Sequence, residues 1–264
     1  LCTDLRIDYV PPVLDDPHMP FLDRLNRELD AHFLRRDERG NSVYLRLQEA
    51  RDELVESLET KDVRNALELS QYITAICEYE FSDYRFYYPY VVRAVCLMLC
   101  GRLLEARDIL LDLLGHPNVD ESTYAALAHI SECRGDYVGA AEYYSTAGIL
   151  DPGDPTVRRG ALLNRFLAGD SSELDASLLE VRKTCKTPFD VQRTRELEAF
   201  LLAAAGRMEE SLAVYDSLVR EGRVESSVLV RYAHTLRQVG RTEQALSLLR
   251  TFQSRFSEDP EFLH

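Results

Sequence analysis

Apolar and polar positions follow a helical period along most of the chain, and the period comes in paired blocks. Between Glu121 and Asp154, Tyr124, Leu127, Ala128 and Ser131 stand at i, i+3, i+4 and i+7, one face of a helix. The polar run Glu132 to Arg134 leads into Gly135, which has no Cβ and so closes a helix in the left-handed conformation at little cost. Asp136 can cap the amides of a second helix, whose inward stripe is Ala140, Tyr144 and Ala147. Pro152 ends it, because a proline ring cannot continue the hydrogen-bond ladder. Small residues on both helices permit a crossing at about 8–10 Å, with the large Tyr144 filling the wedge beside it. The block predicts a helix-turn-helix unit of 34 residues.

The turn glycine recurs at Gly101, Gly135, Gly169, Gly206 and Gly240, with spacings of 34, 34, 37 and 34. Units of 87–120, 121–154, 155–191, 192–225 and 226–259 follow, the three extra residues falling near Thr184 to Pro188. The crossing positions are small in four units: Ala94 with Ala106, Ala128 with Ala140, Ala199 with Ser211, and Ala233 with Ala245. The third places Leu162 and Leu174 there, which predicts a wider crossing or a local distortion around Gly169.

Tyr124, Leu127, Ala140, Tyr144, Ala147 and Pro152 stand where the tetratricopeptide repeat (TPR) expects them, and the chain resembles that family. Ala128 and Ser131 replace the usual glycine and aromatic residue. The resemblance implies an all-α fold, a right-handed α-solenoid of helix-turn-helix repeats with an N-terminal capping helix. It also implies a concave groove lined by the first helix of each repeat. Carried over residue by residue, the groove comprises Val91, Val95 and Met98, then His129 and Glu132, then Arg159, Leu163 and Phe166. Glu196 and Phe200 continue it, and Arg231, His234 and Arg237 close it. The Lys and Asn set with which some members hold a C-terminal carboxylate is not matched. Tyr88, Val91, Val95, Ser122, Ala125 and His129 occupy such places instead.

Outside the five units, residues 1–20 hold Pro11, Pro12, Pro17 and Pro20 among Leu5, Ile7, Tyr9 and Val10, and read as an extended apolar arm. Residues 21–86 read as a cap plus a degenerate repeat. Phe21, Leu22, Leu25, Leu29, His32 and Phe33 form one amphipathic stripe ending before Gly40. Ser42 starts a helix with Leu47, Ala50, Leu54 and Leu58. Asp62 starts another with Val63, Ala66, Leu69, Ile73 and Ile76, after a turn at Lys61 and Asp62 that lacks glycine. Seven aromatic residues crowd residues 79–90; most are expected to pack the connection, with Pro89 opening the next helix. The final stripe runs through Ala245, Leu249, Phe252 and Phe256 into a short tail.

Composition narrows the partners. The net charge is −14, with 19 acidic against 11 basic groups in residues 1–86 and 26 against 20 in the remainder. Such a field repels phosphate backbones and anionic headgroups, so nucleic acid is not an expected partner and a basic or apolar protein is. No apolar run reaches the 18 or so residues of a membrane helix, so direct membrane insertion is not expected. A cytoplasmic location follows, with a periplasmic or lipid-anchored one as the alternative if a leader preceded Leu1 and Cys2. The six cysteines are irregularly spaced and read as core thiols. Cys96 and Cys100 share a helix face, but no second Cys/His pair lies near them, so no metal site is expected. No phosphate-binding loop, zinc-protease signature or nucleophile elbow is present, so no cofactor and no enzymatic activity are expected. His129 and His234 share a repeat position but lie three units apart, on the order of 30 Å along stacked helices, too far for one catalytic centre. The reading is an acidic, non-catalytic scaffold or adaptor that binds a peptide or helix. The alternative is a secretion or transport accessory that shields an apolar client segment. Exposed apolar repeat ends point to a homodimer.

Overall fold

The computed structural model describes residues 20–33, 38–80, 85–222 and 224–256. The arm expected over residues 1–20 lies outside them up to residue 19. Among the described residues every regular element is an α-helix, and consecutive helices pack as hairpins. The chain forms two compact units, Leu1–Pro152 and Gly153–His264.

The first unit holds α1 (Pro20–Phe33), α2 (Glu38–Glu59), α3 (Val63–Glu80), α4 (Tyr88–Leu99), α5 (Leu103–Leu113), α6 (Glu121–Cys133) and α7 (Tyr137–Leu150). The hairpins are α2/α3, α4/α5 and α6/α7, and α1 packs chiefly on α4. The stripes anticipated from the sequence face the core: Leu22, Leu25 and Leu29 on α1, and Leu47, Ala50 and Leu54 on α2. Each such leucine withdrawn from water contributes roughly 2 kcal/mol before ordering costs. Two details differ from the sequence reading. Helix α2 begins at Glu38, so Gly40 lies in its first turn rather than terminating α1. On α3 the inward stripe is centred on Ala66, Ser70, Ile73 and Cys77, with Leu69 and Ile76 half-buried beside it. Buried Ser70 and Thr74 are tolerated because their hydroxyls donate to the carbonyls of Leu67 and Ser70, each at 2.7 Å.

Turns of one geometry close six hairpins across the two units. At Gly101, φ is +74°; its N–H donates to Met98 O and the next N–H donates to Leu97 O. The same pair of bonds recurs at Gly135, Gly169, Gly206 and Gly240. These bonds satisfy helix-terminal carbonyls that would otherwise lack donors. Lys61 adopts the same conformation at φ +60°, with Asp62 N donating to Ser57 O at 2.8 Å, so the first hairpin uses this turn without glycine.

The second unit holds α8 (Pro155–Leu167), α9 (Leu174–Thr184), α10 (Pro188–Ala204), α11 (Met208–Arg220), α12 (Ser226–Gln238) and α13 (Thr242–Phe252). Ala199 and Ser211 meet with no exposed surface, and Ser211 Oγ donates to Ala199 O at 2.7 Å, so a hydroxyl is satisfied inside the crossing. Helices α8 and α9 come close over a shorter stretch than any other hairpin. Leu162 and Leu174 are both buried, and Glu173 enters α9 at φ +59°. The three residues added to the spacing do not lengthen a loop. They extend α10 to 17 residues, opened by Pro188 and a capping box in which Thr187 Oγ1 accepts from Asp190 N and the Asp190 carboxylate accepts from Thr187 N.

Candidate interaction surface

The expected groove residues fall into three environments. Val91 and Val95 retain no exposed surface and Met98 is buried, because α4 is enclosed by α1, α3, α5 and α6. They are core residues, which corrects the groove assigned from the repeat register. The register identifies the face of the helix; it does not reveal that α1 packs against this one.

The entry to α4 shows how α1 is held. Tyr87 precedes α4 without a side-chain cap of its own. The Glu28 carboxylate on α1 supplies it, accepting from Tyr87 N at 3.1 Å and Tyr88 N at 2.8 Å. This places a negative charge on the positive end of the α4 dipole. Beside it, Asp120 gathers four donors. Its Oδ1 accepts from Ser122 N (3.0 Å) and Tyr87 Oη (2.9 Å), and its Oδ2 from Tyr88 Oη (2.7 Å) and Arg24 Nη1 (2.7 Å). Tyr87 also accepts from Asp120 N and shares a hydrogen bond with Thr123 Oγ1. Burial, then the Asp120 charge, raises Tyr87 well above the usual phenol range. For Arg24 burial works against the charged form, but the hydrogen bond and charge of Glu121 outweigh it and raise the guanidinium. His116 stacks on Tyr87 at 5.2 Å; it accepts from Asn118 N at Nδ1, which leaves the Nε2–H to donate to Arg85 O at 2.8 Å. Phe86 and Tyr87 are thus packing residues, as the sequence suggested for most of the aromatic run, while Tyr79 is 85% exposed.

On α6, His129 and Glu132 lie together, Nδ1 to Oε2 3.3 Å, with Tyr144 Oη donating to the same carboxylate oxygen at 3.2 Å.

In the second unit the successive first helices α8, α10 and α12 pack side by side. Leu163, Phe200 and Arg159 are largely buried. Arg159 faces Asp190 (3.8 Å) and donates to Thr156 Oγ1 at 3.1 Å. Glu196 is buried and accepts from Gln192 and Arg193. Phe166 and Arg231 are half-buried, and His234 and Arg237 are exposed. The Arg231 guanidinium lies 5.8 Å over the Phe200 ring. Among the described residues no ion pair engages Arg231 or Arg237. The expected groove residues of this unit that keep exposed surface are thus Phe166, Arg231, His234 and Arg237, aromatic and basic in a chain whose net charge is −14.

The register missed a cleft of about 550 Å³ beside the added turn of α10, lined by Cys185, Pro188, Val191, Gln192, Arg195, Leu218 and Glu221. Arg195 bridges to Glu221 at 2.7 Å among these residues, and Val191 is exposed. The 37-residue spacing was its sequence signal. Among the described residues, no group of three or more His, Cys, Asp or Glu side chains is placed to hold a metal ion together. No described helix is long and apolar enough to cross a membrane.

No protein-family model matches the chain, and no curated protein matches it by sequence. Solved structures do match. A tetratricopeptide repeat protein from Parabacteroides merdae aligns over 79% of both chains at 16% identity and TM-score 0.64. A thermophilic TPR protein from Thermus thermophilus aligns over 72% of this chain and 98% of its own, at 18% identity and TM-score 0.56. In the APC/C Cut9–Hcn1 hetero-tetramer the match covers 98% of this chain and 48% of the other, at 12% identity and TM-score 0.66.

Proposed function

From a chain with the tetratricopeptide-repeat fold, we propose a non-catalytic interaction scaffold that binds an extended peptide or a helix on the face formed by α8, α10 and α12. The observation that carries this reading is the surface kept by Phe166, Arg231, His234 and Arg237 on these three helices, with Arg231 over the largely buried Phe200 ring. That face suits a segment with an apolar side chain flanked by carboxylates. Aromatic and arginine residues are the types that anchor protein interfaces. Hydrogen-bonded ion pairs to guanidinium add register. The alternative of an accessory shielding an apolar client drew on an apolar start to the groove at Val91, Val95 and Met98, and the burial of those side chains removes that support. Self-association through the exposed Leu246 on α13 is a further expectation, and sedimentation velocity of Leu246→Glu beside the parent chain tests it.

Peptide display against the full chain tests the binding face. Enriched peptides should carry acidic and apolar residues together, and Arg231→Glu or Phe166→Asp should weaken them at least tenfold, about 1.4 kcal/mol. Peptides that bind both variants as tightly as the parent chain would place the site elsewhere, with Val191→Asp at the cleft beside α10 as the next variant to examine.

A further inference from the structure

Helix α6 carries His129 and Cys133 four residues apart, on one face and one turn from each other. His129 Nε2 and Cys133 Sγ are 3.4 Å apart. A tetrahedral Zn²⁺ bound through one imidazole and one thiolate places those two atoms roughly 3.5 Å apart, as edges of the tetrahedron built on Zn–N and Zn–S bonds. The other imidazole nitrogen, Nδ1, faces Glu132 Oε2 at 3.3 Å, and Tyr144 Oη on α7 donates to that oxygen at 3.2 Å. A carboxylate that holds Nδ1–H turns the Nε2 lone pair towards the thiol, the arrangement that supports metal-ligating histidines. The His129 and Glu132 side chains are only 12% and 11% exposed, whereas Cys133 is exposed, so the imidazole is held and the thiol side is open to solvent. Cys96 and Cys100 have the same spacing and none of these features. Cys96 has no exposed surface, and the Cys100 thiol donates to Val63 O at 3.4 Å.

We propose that His129 Nε2 and Cys133 Sγ form a two-donor site for a borderline-soft divalent cation of the Zn²⁺ class, with Glu132 as the residue that positions the imidazole. On binding, the S–H bond is broken, its proton goes to solvent and the sulfur lone pair makes the metal bond, with no change of oxidation state. With these two protein donors in place, the other coordination positions fall to water or to donor groups of whatever docks there. Half the ligand set of a closed structural site gives about half its binding free energy, and a Kd on the order of 10 µM.

Titration of the full chain with Co²⁺, a spectroscopic stand-in for Zn²⁺, tests the site through the thiolate-to-cobalt charge-transfer band. The band should appear in the parent chain, be lost on Zn²⁺ addition, and be missing in Cys133→Ser and His129→Gln. Glu132→Gln should bind about 10–100-fold more weakly. Independently of those variants, Zn²⁺ should slow alkylation of Cys133 in the parent chain. A band that survives in Cys133→Ser, the lack of any band at millimolar Co²⁺, or an alkylation rate unmoved by Zn²⁺ would each overturn the proposal, leaving the pair as a thiol–imidazole hydrogen bond. An unchanged affinity in Glu132→Gln would overturn the positioning role.

Discussion

Asp120 is the point at which one substitution should do the most damage to the first unit. Asp120→Ala removes the N-cap of α6, which is worth about 1 kcal/mol. It also removes a charged acceptor from Tyr87 and Tyr88; hydrogen bonds to charged groups contribute about 1.5–3 kcal/mol each. Tyr87 keeps its contacts with Asp120 N and Thr123, so its share lies at the low end. The Arg24 pair adds no more than about 1 kcal/mol, since both side chains are partly exposed and Arg24 retains Glu121. These terms overlap, and the expected loss is about 3–5 kcal/mol. Asp120→Asn keeps the cap and loses the charge, so it should fall between the parent chain and alanine. With two compact units, one global transition is not assured, so amide hydrogen exchange should accompany urea unfolding of the full chain. Protection should fall across α4 and α6 and stay unchanged in α10 to α13. A loss below about 1 kcal/mol, or one confined to the second unit, would refute the argument.

Lys61→Gly should raise stability by about 1 kcal/mol in urea titration, because Lys61 holds a left-handed φ that glycine adopts freely. Gly135→Val should cost about 1–3 kcal/mol. A Cβ there meets no atom within 4 Å, so the whole cost is conformational, and Val138→Ala, 60% exposed, should stay within about 0.5 kcal/mol. Equal effects for those two would contradict the turn assignment. Burial pushes Tyr215 up from 10.0 to about 12, and burial, with the charges of Glu28 and Glu78, pushes Cys77 up from 9.0 to about 12. Both folded values exceed the unfolded ones, so this stability is fully present below about pH 9 and is lost as pH rises towards 12. Circular dichroism melts under reducing conditions should therefore be flat from pH 7 to about 9 and fall above it. A stability that rises between pH 9 and 12 would overturn the sign.

The hairpins were legible because they are written in local terms. A left-handed turn favours glycine, and two close helices need small residues at Ala94, Ala106, Ala128 and Ala140. What the period could not carry was anything settled at long range. Val91 and Val95 have the right register for a groove, yet α1 packs against their helix from far upstream in the chain. The turn read at Lys61 and Asp62 takes the left-handed conformation without glycine because a strain of about 1 kcal/mol is tolerable. The added turn of α10 was nearer to hand, since Thr187, Pro188 and Asp190 spell a helix start that the even repeat ruler placed four residues late. His129 and Cys133 stood at visible spacing; Tyr144, which donates to Glu132, lies on the next helix.

The Glu28 cap has a consequence for the order in which the chain is made. The groups it serves, Tyr87 N and Tyr88 N, follow it by 59 and 60 residues. At about 5–20 residues per second of synthesis, α1 leaves the ribosome several seconds before α4 exists. Hairpins α2/α3 and α4/α5 can close through their own turns within microseconds of being made. Throughout that interval Leu22, Leu25 and Leu29 have no α4 to bury them, and the α4 amides, once made, stay open until the older helix returns. Helix α1 therefore waits for α4, and nascent chains stalled between residues 60 and 90 are where ribosome-bound chaperones should crosslink to it.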